Sequence, residues 1–145
     1  MNNFKFRLQK LLDIRNDKEE ESRRIFKEAQ LEKERAEEKF KTLKESYKRY
    51  KEFSPDESLV EQKIKHIYLN ALTNSIAEAE LELQDKIKKL EEKREQLKMR
   101  QIERKTVEIL KDKQFQVFLK EQNSIEQKVN DEFALYGFLR AHEGR

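Results

Sequence analysis

The sequence predicts an all-α protein, a long antiparallel coiled-coil hairpin of two helices. Three observations lead there. The 145 residues hold one proline and two glycines, 43% of them are charged, and the apolar ones recur at helical spacing. Gly137 and Gly144 sit near the C-terminal end, so Pro55 is the one strong helix breaker before them. Glycine loosens a backbone, whereas proline lacks an N–H and clashes with the preceding turn. A chain so short of both cannot make the many turns of a compact domain. With 35% apolar residues it has no thick core either, and buries a narrow seam.

The elements follow in order within a single coiled-coil domain, residues 1–145. Helix one is expected over about 4–53. Its inward positions read Leu8, Leu11, Arg15, Lys18, Ser22, Ile25, Ala29, Glu32 and Ala36, then Phe40, Leu43, Tyr47 and Tyr50. Steps of four and three alternate as a two-stranded coiled coil requires, with one extra residue between Ala36 and Phe40. The turn falls at 53–55. Ser54 is placed to cap, Pro55 to take the first helical position, and Glu57 to complete a capping box three residues after the serine. Helix two is expected over about 55–139, with a frayed C-terminus. Leu69, Leu72, Ile76, Leu83, Ile87, Leu90, Arg94 and Leu97 face inward, and the register then drifts through Ile102, Ile109, Val117, Ile125 and Val129. Polar seam residues, Asn74 and Arg94 among them, weaken a coiled coil but can set its register. Acid-first pairs four apart support the helices: Glu20–Arg24, Glu37–Lys41, Glu45–Arg49, Glu82–Lys86 and Asp85–Lys89.

A tight turn implies antiparallel helices. Folding back at Pro55 sets residue i beside about residue 110 − i. Phe4 to Arg15 then lies along Gln96 to Thr106, and about 35 residues of helix two project past the N-terminus.

Composition excludes several functions. Without cysteine there is no disulfide or thiolate chemistry. The first residues, Phe4-Lys5-Phe6-Arg7-Leu8, alternate with cations rather than forming a signal-peptide core. No run nears the ~18–20 apolar residues that cross a bilayer, so a cytoplasmic protein is expected. There is no phosphate-binding glycine loop, and the carboxylates line solvated faces with no pocket to shift them. No catalytic residue, cofactor, small-molecule ligand or metal is therefore expected. His66 and His142 lie far apart and read as solvated surface.

Aromatic and basic residues mark the two ends. Phe40, Tyr47, Tyr50, Phe53 and Tyr68 crowd the turn. Phe4, Phe6, Phe115, Phe118, Phe133, Tyr136 and Phe138 gather at the open end, and such rings supply much of the contact energy of interfaces. Lys5, Arg7, Lys10 and Arg15 against Asp13 give +3, and Lys98, Arg100, Arg104 and Lys105 against Glu103 give another +3. Side by side they form a collar with twice the net charge of the chain, suited to acidic protein loops, anionic lipid or nucleic acid. Nucleic-acid binding is not expected, because glutamates dilute the cations and no recognised module is present.

The N-terminal stretch Phe4-x-Phe6-x-Leu8-x-x-Leu11-Leu12-x-x-Arg15-x-x-x-Glu19 resembles the FliJ family of the bacterial flagellar export apparatus. A second stretch, Glu103-Arg104-Lys105-Thr106-Val107-Glu108-x-Leu110, followed by Asp131-Glu132, is similar to the same family. The resemblance implies a long antiparallel two-helix hairpin similar to a rotary-ATPase central stalk, a non-enzymatic stalk in the pore of the hexameric flagellar export ATPase. Such a stalk promotes ring assembly and ATP turnover, links the ATPase to the membrane export gate, and meets export chaperones. It would sit peripherally on the cytoplasmic face of the inner membrane at the flagellar base. The resemblance places the ATPase contact on Phe4, Phe6, Leu8, Leu11, Leu12, Arg15, Arg104, Lys105, Glu108 and Leu110. It places the gate contact on Phe40, Leu43 and Tyr47 of helix one and Tyr68, Leu72, Ser75 and Ala79 of helix two. The alternatives are the equivalent stalk of a virulence type III secretion system, or a generic structural or nucleic-acid-binding coiled coil.

Overall fold

The computed structural model describes residues 3–52 and 55–143. Two helices account for nearly all of them, α1 over Gln9–Lys51 and α2 over Leu59–Glu143, and the fold is a two-helix coiled-coil hairpin. The chain divides into two compact units. The turn unit comprises Lys18–Gln101, and the terminal unit Met1–Asp17 with Ile102–Arg145.

The turn unit begins from its cap. The capping box sits four residues later than Ser54 and Pro55 suggest. The Ser58 hydroxyl accepts from the Glu61 N–H at 3.2 Å, and the Ser58 N–H donates to the Glu61 carboxylate at 3.3 Å. Pro55 lies in the turn before the helix rather than at its first position, and Ser54 and Phe53 fall outside the described residues. Ser58-Leu59-Val60-Glu61 repeats the Ser-x-x-Glu spacing of Ser54-Pro55-Asp56-Glu57, so the sequence offers two boxes. The second leads directly into an apolar run. Ser58→Ala should cost about 1 kcal/mol, read as faster amide exchange at residues 60–62 and a lower melting temperature.

The pairing register also differs from 110 − i. In the turn unit the Tyr50 ring meets Tyr68 at a tilt of 53°, with centroids 4.4 Å apart. Lys39 pairs with Glu82 at 3.4 Å, Lys86 with Glu32 at 3.1 Å, and Arg94 lies over the Phe26 ring at 5.8 Å. These numbers sum to between 118 and 121. The cause is at the turn: α2 runs about two turns past the end of α1 before it meets a partner, so Leu59 stays 84% exposed and Val60, Ile64 and Ile67 are exposed with it. The linker folds back along these turns, where the Lys65 ammonium donates to the Glu52 carbonyl and to the Glu57 carboxylate.

The seam keeps a stricter period than its apolar residues show. On α1 the buried and half-buried positions Glu19, Ser22, Phe26, Ala29, Lys33, Ala36, Phe40, Leu43 and Tyr47 alternate three and four with no extra residue. Lys18 and Glu32 are exposed, and Ile25 is half-buried beside Phe26. On α2 the line runs Lys65, Leu69, Leu72, Ile76, Ala79, Leu83, Lys86, Leu90, Lys93, Leu97 and Arg100. Ile87, Arg94 and Asn74 lie outside it and are exposed. Lysine and arginine stems fill seam positions while their charged ends reach water, which hides the period from a count of apolar residues. Of the expected four-apart pairs, Asp85–Lys89 is present at 3.1 Å. Glu82 and Lys86 instead reach across to α1, and Arg24 holds Glu21 and Glu28.

In the terminal unit the line runs on through Arg104, Val107 and Lys111, then after a second step of four through Phe115, Phe118 and Gln122. Ile102, Ile109 and Val117 are exposed, so the seam does not drift through them, and Ile125 and Val129 lie exposed beyond Gln122. Phe4 to Leu8 precede α1 rather than forming its first turn, and the Phe6 carbonyl accepts from the Gln9 N–H at 3.1 Å. Beyond Gln122 every described residue of α2 is exposed, leaving an overhang of 21 residues, 123–143, instead of about 35.

Candidate partner-binding surfaces

The terminal unit is assembled around three buried side chains, Phe6, Leu12 and Val107, with Phe4, Leu8 and Leu11 packed against them. The Phe4 ring meets Phe115 edge-on at 5.3 Å and Phe118 at 5.5 Å. Arg15 donates from Nη1 to the Glu103 carbonyl at 2.8 Å, and Lys111 Nζ donates to Gln9 Oε1 at 2.7 Å. The two stretches singled out in the sequence therefore lie side by side, offset from the expected register. Phe4 to Arg15 runs along 103–118, not along Gln96 to Thr106.

That offset changes the collar. Lys98 and Arg100 belong to the turn unit. The stretch beside the N-terminus carries Arg104, Lys105, Lys111 and Lys113 against Glu103, Glu108 and Asp112, a net +1 rather than +3. The surface is basic because of Lys5, Arg7 and Lys10, all of which are exposed or border on exposed neighbours.

The ten candidate residues of this end separate by burial. Phe6 and Leu12 are 8% and 6% exposed, and Phe4, Leu8, Leu11 and Arg15 are half-buried. Their immediate work is to hold the two segments together. Arg104 is half-buried and paired with Glu108. Lys105, Glu108 and Leu110 are exposed, as are Ile14 and Ile109, which the sequence reading did not select. Apolar character alone did not separate those two from the seam.

In the turn unit Leu72 and Ala79 are buried, Phe40, Leu43, Tyr47 and Ser75 half-buried, and Tyr68 exposed. Lys44 covers the Phe40 ring at 4.2 Å and Lys51 approaches Tyr47 at 5.9 Å. Most of this stripe is seam. The larger apolar surface here is Leu59, Val60, Ile64 and Ile67 on the first turns of α2, beside a shallow depression lined by Arg49, Tyr50, Pro55, Lys65 and Tyr68. Val60, Ile64 and Ile67 are spaced by four and three, a signal legible in the sequence once Leu59 is known to begin the helix.

Glu21 is held below the usual carboxylate range, first by its hydrogen bond from Arg24, and Arg24 is raised by the same bond. Both are exposed and make a surface ion pair, which contributes little to stability.

Both family-like stretches, and the helix between and beyond them, are covered by one comparison: a family model described as Flagellar FliJ protein matches residues 4–143. The chain belongs to the FliJ family. A FliJ-family chain is a component of the flagellar export apparatus, and the match takes in both units and the overhang with Asp131-Glu132. No curated protein and no solved structure matches the chain. Among the described residues, no helix is long and apolar enough to cross a membrane.

Proposed function

We propose that this FliJ-family chain is a non-enzymatic stalk that docks its terminal unit on the hexameric flagellar export ATPase and its turn unit on the membrane export gate. In this role it favours assembly of the ATPase ring and ATP turnover, and exposed helix faces meet export chaperones. It works on the cytoplasmic face of the inner membrane. The family match over residues 4–143 is the observation that carries the reading. The geometry of the terminal unit supports it: its buried residues present a fixed outer surface of Lys105, Glu108 and Leu110, with Ile14 and the N-terminal cations nearby in sequence.

The physical logic is asymmetry. Two unlike helices in a sixfold pore cannot contact all subunits alike, so they bias subunit conformations differently. Basic residues add electrostatic attraction to acidic loops without a deep pocket. On the turn unit, Tyr68 and the exposed Ile64 and Ile67 are the side chains a gate segment can reach without opening the seam.

Adding the purified chain to its export ATPase should raise hexamer formation and turnover, saturating near stoichiometric amounts. Unchanged turnover at saturation would rule out the ATPase role. Lys105→Glu combined with Leu110→Ser should lower the stimulation at least about threefold, with helicity by circular dichroism unaltered. Full stimulation by that variant would move the docking surface elsewhere.

A further inference from the structure

We propose that the overhang of α2, residues 123–143, pairs antiparallel with the same segment of a second copy of this chain. The proposal is independent of the stalk reading and concerns the terminal unit alone.

The first argument is continuity with the seam that exists. Phe118 and Gln122 are half-buried and belong to it. From Gln122 the spacing continues without a break through Ile125, Val129, Glu132, Tyr136 and Leu139, in steps of three and four. Residues so spaced share one face of a helix. Phe133, beside Glu132, widens the stripe and is 71% exposed. Helix one has ended by this point, and none of the described residues covers the face: Ile125, Val129, Tyr136 and Leu139 are all exposed. A lone amphipathic helix of this length is marginal in water without a partner, and a run of exposed large apolar side chains marks an interaction surface.

The second argument is that the stripe is its own complement. Antiparallel pairing centred between Asn130 and Asp131 sets Gln122 opposite Leu139, Ile125 opposite Tyr136, and Val129 opposite Glu132. Each layer is then repeated by the two-fold axis, as a self-complementary interface requires. Charge selects this orientation. Parallel, in-register pairing would bring Glu132 against Glu132 of the other copy within the seam, a like-charge contact that disfavours it. Antiparallel pairing places Glu132 beside Lys128 of the other copy, because the two lie on the same flank of the stripe, and forms this ion pair twice. Val129 fills the central layers, and Phe133 lies on the opposite flank from the ion pair. A partner of different sequence would need to reproduce this pattern; a second copy has it already.

Sedimentation equilibrium of the full chain, from about 5 to 500 µM, should show a monomer–dimer equilibrium with a Kd of roughly 1–100 µM, as a seam this short allows. Val129→Asp should raise that Kd at least about tenfold. Lys128→Glu alone puts two carboxylates together on each side, and Glu132→Lys alone puts two ammonium groups there. Each should weaken the dimer roughly threefold to tenfold. An equimolar mixture of the two single variants should dimerise as well as the native chain, because the heterodimer restores both pairs between copies. Any effect confined to one helix cannot produce that recovery. A monomer throughout the concentration range overturns the proposal, as does a dimer indifferent to Val129→Asp. Single variants that weaken the dimer without recovery on mixing overturn the antiparallel register.

Discussion

Val107→Asp is expected to dismantle the terminal unit while leaving the turn unit intact. Val107 is 4% exposed and is the one α2 side chain in the cluster with Phe6 and Leu12. The substitution removes that packing and sets a carboxylate among the Phe6 and Leu12 side chains. Loss of packing together with burial of an unpaired charge costs about 3–5 kcal/mol. The N-terminal segment is also held by the Phe4 ring, the Arg15 bond to the Glu103 carbonyl and the Lys111 bond to Gln9. They cannot offset a loss of that size. Hydrogen exchange should show residues 4–17 losing protection at every accessible amide, while 69–97 exchange as in the native chain. Lys105→Glu, two residues away and exposed, serves as the control and should change neither. Protection of 4–17 in Val107→Asp would mean that the cluster does not hold this end together.

Ala79→Leu should destabilise the turn unit by about 1–3 kcal/mol. Ala79 is 2% exposed, the least exposed of the buried apolar residues. In the register set by Lys39–Glu82 and Lys86–Glu32 it stands opposite Phe40, whose ring needs the room an alanine leaves. A leucine there forces the helices apart or the ring out of its rotamer. Thermal unfolding should show the melting temperature falling by several degrees. Asn74→Leu offers the contrast: the exposed Asn74 would sit in the seam if apolar spacing alone set the phase. With the observed phase it lies outside, and its replacement should shift stability by no more than about 0.5 kcal/mol. Equal effects of the two substitutions would overturn the phase described for α2.

Fold class was open to reading because it depends on what the chain lacks. One proline among long charged stretches leaves two helices and a turn, and the family stretches at Phe4–Glu19 and Glu103–Leu110 belong to the terminal unit that forms. Register was harder. Two Ser-x-x-Glu boxes compete, and only packing shows that Ser58 caps α2 and that its first turns extend past Lys51. The seam phase was obscured for a different reason. Glu19, Lys33, Lys86, Lys93 and Lys111 occupy inward positions with charged side chains, while Ile87, Ile102 and Ile109 face water. A reading that equates apolar with inward therefore acquires a false extra step at Ala36 and turns Ile102 and Ile109 inward. Burial among the candidate contact residues was hidden in the same way. Phe6 and Leu12, placed by the family resemblance, and Leu72 and Ala79, placed by stripe spacing, are buried in packing, and exposed neighbours such as Ile14 and Ile64 carry no mark that distinguishes them from seam.

The pairing of residues whose numbers sum to about 119 also fixes an order of events. Tyr50 and Tyr68 are joined by a short loop, so their contact forms early and at little entropic cost. Phe4 and Phe118 are separated by almost the whole chain. Closing the gap between residues 17 and 102 from an open chain costs about 4 kcal/mol in its length-dependent part alone. Once the turn unit has formed, that gap is already spanned and the cost has been met. Closure of the terminal unit is thus expected to follow that of the turn unit. Contacts this graded in sequence separation favour closure from the turn outward. Unzipping would run the other way, so the segment around Phe4 should be the first released by heat, denaturant or a pull on the chain ends.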